Sequence, residues 1–142
     1  MYKALTICQP YAELIIRGQK LVENRTWTTG YRGPLLIHAG KSREWLRDSY
    51  PDWPKPDDLV FGAIVGIVDL VACLEYDAIN EGSCPEEFMF LREHIHTEGP
   101  QCWVLASPRR LADPIPYRGQ QGLFGVPDKI MDGALYHCGS CQ

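Results

Sequence analysis

The chain has 142 residues, of which 45% are hydrophobic and 23% charged, with a formal net charge of −4. That length and mix describe one soluble globular domain able to bury a core, and they exclude a wholly basic, nucleic-acid-coating protein. Charge is uneven, however: residues 1–47 carry eight Lys/Arg against three acids, a net of +5, and residues 48–142 carry six against fifteen, a net of −9. A local anion site in the first third therefore stays open.

At the N-terminus, Met1-Tyr2-Lys3 leads into only Ala4 to Cys8 before Gln9-Pro10, with no small-residue cleavage site. This is no signal peptide, and the expected location is cytoplasmic. Residues 2–8 alternate weakly and predict a strand. Pro10 is well placed to open a helix, Tyr11, Leu14 and Ile15 share one face, and Gly18 is a good stop. Residues 20–27 predict a second strand, Gly30 and Gly33 bracket a turn at Tyr31-Arg32, and Pro34 to Ala39 predict a third.

Ser42 is positioned to cap a short helix over 43–49, and the prolines at 51, 54 and 56 predict a loop. Phe61 to Tyr76 is the strongest strand signal. Gly62 and Gly66 within it mark bulges or close backbone contacts. Its apolar run, Val60 to Cys73, is broken by Gly62, Gly66 and Asp69, too short and interrupted to span a bilayer. Residues 86–95 predict a short helix with Phe88, Leu91 and Ile95 on one face. Cys102 to Ala106 predict a strand with Leu111 near its continuation, 114–127 is rich in Gly and Pro, and a last short element falls within 129–137. Many short strands, a few helices and Gly/Pro turns predict an α+β, mainly β fold: a small barrel with helices packed on it.

Cys8, Cys73 and Cys102 sit in apolar runs and read as small core residues. Cys138-Gly-Ser-Cys141 is a lone C-x-x-C with no second pair, so no zinc knuckle is expected. His94 and His96 are two apart near Glu93 and Glu98 and read as a solvated loop. No metal site and no cofactor are expected.

The chemistry gathers between Gln9 and Lys41. Gly18-Gln-Lys20-Leu-Val-Glu23-Asn-Arg25 fits a G-x-K-x-x-E-x-R pattern. Gly18 releases the helix into a turn and Lys20 stands at the mouth of the next strand. Glu23 and Arg25, two apart, point to one face, so the three form a cationic trio able to hold a phosphate, an oxyanion or a base edge. Trp27 shares that parity if the strand stays regular and offers a stacking plane. Tyr31 and Arg32 sit on the turn, His38 and Lys41 flank Ala39-Gly40, and Gln9 stands at the helix entrance. A purely structural ion network at a barrel seam is the alternative for the same residues.

This set resembles the ASCH domain family, a relative of the PUA RNA-binding fold. The likeness rests on the G-x-K-x-x-E-x-R pattern after Gln9-Pro10-Tyr11, on Glu23 to Trp27, Tyr31 to Leu35 and Ile37 to Lys41, and on the later Tyr117-Arg118-Gly119-Gln-Gln-Gly122-Leu123-Phe124. It resembles stand-alone bacterial and phage members, runs from about Leu5 to Val126, and implies a PUA-like open β-barrel with its core about 4–127 and a tail at 128–142. It also implies a cleft for RNA, single-stranded nucleic acid or a nucleotide, lined by Gln9, Lys20, Glu23, Arg25, Trp27, Tyr31, Arg32, His38 and Lys41. Some relatives resemble amidohydrolases of an acylated cytidine, with a Lys, a Thr three residues later and a distant Glu. Lys20 matches the Lys, Glu23 stands in the Thr position, and Glu75 is the counterpart considered for the distant Glu. Other relatives look like nucleases. Three readings result: a binding module; an enzyme using Lys20, Glu23 and Arg25 with His38 as an acid; or an interaction domain whose site has degenerated.

Overall fold

The computed structural model describes residues 1–138. Strand β1 (Tyr2–Ile7) buries Ala4, Leu5 and Ile7. Adjacent residues buried together mean that both faces of the strand are covered. Helix α1 (Tyr11–Ile16) buries Ala12, Leu14, Ile15 and Ile16. Gly18 ends it at φ 77°, with its N–H on the Ile15 carbonyl at 3.0 Å. That left-handed backbone favours glycine because no Cβ meets the following carbonyl.

Strands β2 (Val22–Arg25), β3 (Gly33–Ala39), β4 (Ala63–Glu75), β5 (Gln101–Pro116), β6 (Phe124–Val126) and β7 (Tyr136–Cys138) complete one mixed sheet. Its order is β2-β5-β4-β3-β1-β6, with β7 added to β5. The β1–β3 ladder is parallel and the others are antiparallel. Among the described residues no ladder joins β2 to β6.

The strong apolar run forms its strand as expected, but β5 is far longer than 102–106. Ser107 and Pro108 fall at the register shift between Ile67 and Asp69 of the β4–β5 ladder, and with the shifts at 64/66 and 70/72 this lets the pair coil onward. Gly66 stands at the first shift, where a Cβ would lie 2.5 Å from the Arg109 carbonyl oxygen and 2.6 Å from Ile16 Cδ1. Strand β2 is shorter than 20–27. Its last pair is Arg25 with Gln101, the first residue of β5, so the ladder runs out of partner there.

Alternation along β3 splits the core. Leu35 and Ile37 join Leu5, Ile15, Ile16 and Trp103 on the α1 side. Leu36 joins Ile64, Ile67, Leu111, Phe124 and Met131 on the other. A third cluster holds Val22, Ile79, Leu91, Cys102 and Val104. Each such large side chain, fully buried, contributes about 1.5–3 kcal/mol.

Several local expectations change. Residues Glu86–Arg92 are a 3-10 helix, and Ile95 lies beyond it, exposed, while Leu91 is buried. The three-residue turn aligns 88 with 91 and leaves 95 off that face. Helix α2 (Glu44–Ser49) begins one residue late: Ser42 Oγ still accepts the Glu44 N–H at 3.2 Å, with Arg43 between them. Tyr76 opens a helix, α3 (Tyr76–Glu81), rather than ending the strand. Helix α4 (Asp128–Met131) and β7 occupy the stretch after β6, where Met131 is buried. Cys102 is buried, but Cys8 and Cys73 are half-buried, because each stands where its strand leaves the core. The Cys138–Cys141 pair extends beyond the described residues. No helix among these is long and apolar enough to cross a membrane.

Candidate functional site

The turn after α1 folds Lys20 back toward the sheet, its N–H on the Leu14 carbonyl at 3.1 Å. The side chain is 4% exposed. Its Nζ donates to the Val22 carbonyl and, at 3.3 Å, to Glu23 Oε1. Glu23 and Arg25 do share a strand face: Arg25 Nε donates to Glu23 Oε2 at 2.9 Å, and its second nitrogen, 2.8 Å from that oxygen, also donates to the Thr6 carbonyl at 2.9 Å. One carboxylate thus sits between two cations, leaving the trio a single positive charge. Burying such charges is costly unless each is paired and hydrogen-bonded, as they are here.

These three line a cavity of about 570 Å³. Tyr11, Trp45 and Tyr50 form its aromatic wall. Tyr11 meets Trp45 edge-on at 5.9 Å and Tyr50 at 5.6 Å, and Lys20 Nζ lies 5.4 Å from the Tyr11 ring centre. Burial, then the neighbouring Tyr50, push the Tyr11 phenol up to about 12, so it stays a neutral hydrogen-bonding and stacking group. Burial, then the Glu23 carboxylate, push the Cys8 thiol up. Cys8 therefore lines the cavity as a thiol and not as a nucleophilic thiolate.

The 94–99 loop also brings His96 and Glu98 to the cavity. Asn24 ties it down: Nδ2 donates to the His96 carbonyl at 2.9 Å, and Oδ1 accepts the N–H groups of Glu98 and Gly99 at 3.0 and 2.7 Å. Burial, then the Lys20 ammonium, push the His96 imidazole down, so it is neutral near pH 7. Among the described residues no cluster of His, Cys, Asp and Glu could hold a metal ion.

Of the residues chosen from sequence, Lys20, Glu23 and Arg25 come together here. Gln9 does not join them. It is 1% exposed, donates to the Val60 carbonyl at 2.8 Å and accepts the Glu13 N–H at 3.0 Å, bolting α1 to the loop before β4. Trp27 lies past the end of β2, edge-on to Trp103 at 4.8 Å, and lines an adjoining cavity with Thr6 and Arg25. Tyr31 and Arg32 are elsewhere: the Tyr31 hydroxyl donates to the Pro34 carbonyl, and Arg32 donates to the Thr29 and Tyr31 carbonyls. Tyr31 lines a separate hollow beside Met1 and Asp128.

His38 is buried, its ring between Thr6 Oγ1 at 3.1 Å and the Tyr117 carbonyl at 2.6 Å. Lys41 lines a further cavity, with His38, Arg118, Gln120 and Gln121. Glu75 ends β4 and does not line the 570 Å³ cavity; the second carboxylate there is Glu98.

Sequence reasoning missed the aromatic wall, Asn24 and the loop. Tyr11 was legible as a residue of the helix face and of the Gln9-Pro10-Tyr11 segment, not as part of an aromatic wall. The aromatic density of Trp45, Tyr50 and Trp53 was the available signal.

The ASCH domain family matches residues 5–115. Human activating signal cointegrator 1 is 28% identical over 141 residues, covering 92% of this chain, and the mouse protein of the same name matches equally. The chain spans 23% of the length of these curated relatives. Among solved structures, the crystal structure of ASCH from Zymomonas mobilis superposes with a TM-score of 0.55 at 13% identity, over 92% of this chain and 90% of that one. A tyrosine-to-phenylalanine variant of it gives 0.56 at 14%, over 94% and 99%. At that identity the likeness is one of fold.

Proposed function

This chain belongs to the ASCH domain family, and on that premise we propose that its cavity binds one base of a single-stranded RNA, or a nucleotide. In this reading the mixed sheet is a PUA-like open barrel and the cavity its ligand cleft. The observation that carries the proposal is one cavity lined both by the aromatic side chains of Tyr11, Trp45 and Tyr50 and by the Lys20–Glu23–Arg25 ion-pair line. A nucleobase needs a flat apolar surface for its face and fixed donors and acceptors for its edge. The cavity offers both, at a volume typical of small-molecule sites.

Charge supports a short ligand. Glu23 offsets one of the two cations, and residues 48–142 carry a net of −9, six basic against fifteen acidic side chains. Long polyanions gain little from such a surface, so recognition rests on stacking and edge contacts more than on counterion release. The test is calorimetric titration of ribonucleotides and short single-stranded RNAs into the wild type and Tyr50→Ala. Loss of one stacking contact, worth about 1–3 kcal/mol, weakens binding roughly fivefold or more. Unchanged affinity in the variant, or no binding by the wild type, overturns the proposal.

A second reading, hydrolysis of an acylated nucleoside or of RNA, draws on the Lys20–Glu23 contact at 3.3 Å with Glu98 and a neutral His96 on the same cavity. Glu23 or His96 would take a proton from the attacking water, Arg25 would stabilise the developing oxyanion, and the same base would return the proton to the leaving nitrogen or oxygen as the C–N or P–O bond breaks. Product from an acylated cytidine or a short RNA, lost in Glu23→Gln at a temperature where circular dichroism shows that variant folded, is its signature. A wild type that yields no product sinks it.

A further inference from the structure

We infer that the cleft continues as a groove for a single strand, in which Arg118 and Lys41, with Gln120, hold the phosphodiester of the nucleotide next to the one in the aromatic cavity. This rests on the base-binding reading above and extends it from a nucleotide to an oligonucleotide.

Three cavities, of about 570, 470 and 450 Å³, lie in series. Thr6 lines all three, Arg25 is shared by the first two, and Gln120 and Gln121 are shared by the last two. A ligand leaving the aromatic wall past Arg25 therefore meets Trp27 and then the 118–121 loop. Along that path the charge changes character. Lys20 and Arg25 are both paired with Glu23. Lys41 and Arg118 are exposed, and neither has a carboxylate within salt-bridge distance among the described residues. Two uncompensated cations next to glutamine amides suit a phosphodiester, which needs charge and hydrogen-bond donors.

The loop is held in place before any ligand arrives. The Tyr117 carbonyl accepts from His38 Nε2 at 2.6 Å, so in the neutral ring Nδ1 accepts from the Thr6 hydroxyl. The Tyr117 ring stacks on Phe124, with centres 6.4 Å apart and planes 11° apart. Gly119 then lies flat on the groove floor: a Cβ there would sit 2.7 Å from His38 Cε1 and 2.8 Å from Thr6 Oγ1. His38 is thus a positioning residue for the subsite. A pre-ordered loop spares the ligand the entropy of organising it.

The test compares cytidine monophosphate with a mixed-sequence tetraribonucleotide, by calorimetry in the wild type, Arg118→Gln and Tyr50→Ala. The wild type binds the tetranucleotide at least tenfold more tightly than the mononucleotide. Arg118→Gln removes most of that gain and lowers the salt slope by about 0.7, the value for one single-strand phosphate contact. Mononucleotide affinity changes less than twofold. A tetranucleotide held no tighter than the mononucleotide, or an Arg118→Gln variant that weakens both ligands equally, overturns the subsite and leaves the base cavity standing. Tetranucleotide binding that needs Arg118 but ignores Tyr50→Ala overturns the base cavity and upholds the groove. Failure of the wild type to bind either ligand overturns both.

Discussion

His94 Nε2 accepts the backbone N–H of Leu21 at 3.0 Å. An acceptor nitrogen carries no proton, so this bond exists only with the imidazole neutral. It ties the loop bearing His96 and Glu98 to the residue after Lys20, and so couples the cavity rim to its charged floor.

The first prediction is a pH dependence. Burial, then His96 and Lys20, hold the His94 imidazole below its ordinary value. The folded protein therefore refuses a proton that the unfolded chain binds. Stability is fully present above the ordinary histidine value of about 6.5 and falls as pH drops from there through the lowered folded value. Urea unfolding at pH 7.5 and pH 5.5 measures it. His94→Gln, whose side-chain oxygen can also accept, flattens the difference; an equal pH response in wild type and variant rejects the assignment.

The second concerns Glu23. Its carboxylate takes donors from Lys20 and Arg25, and Lys20 is almost wholly buried. Glu23→Gln leaves that ammonium without a counter-charge and costs about 3–5 kcal/mol, as for one broken partner of a buried pair. Adding Lys20→Met removes the stranded charge, so the double variant is more stable than the sum of the singles. Additive losses in chemical denaturation speak against a coupled pair.

The third concerns Gly119. Alanine there would press on the His38 ring and the Thr6 hydroxyl, which the sheet holds in place. Overpacking of this kind costs about 1–3 kcal/mol. Gly119→Ala lowers the urea midpoint and raises amide exchange in residues 117–122 more than in β3. Wild-type exchange in that loop counts against the packing argument.

Much of the fold was legible because it is local. The stop at Gly18, the shared face of Glu23 and Arg25, and the Val/Ile-rich β4 follow from backbone geometry and side-chain periods of 3.6 and 2. Trp27 was extrapolated along a strand that ends at Arg25, since ladder length depends on the partner strand. Gln9, Tyr31 and Arg32 had functional residue types, but the structure uses their polar atoms to satisfy nearby backbone and close turns. Residue type does not reveal which partner a polar group will find.

The sequence alone determined the α+β class, the order of most elements and the Lys20–Glu23–Arg25 trio, because those depend on neighbours within a few residues. What joins the trio in the cavity, and what lines the neighbouring one, was decided only by the tertiary structure. Trp45 and Tyr50 come from α2 and the turn after it, His96 and Glu98 from a loop more than seventy residues beyond the Asn24 that pins it, and Arg118 from a loop held by His38 through Tyr117. Such pairings cost chain entropy that only the whole packed sheet offsets, so no local pattern announces them. The positive excess of the first third is real, but in the cavity Glu23 offsets one of the two cations beside it. Lys41 and Arg118, the latter from the acidic remainder of the chain, line a neighbouring cavity with no carboxylate partner among the described residues.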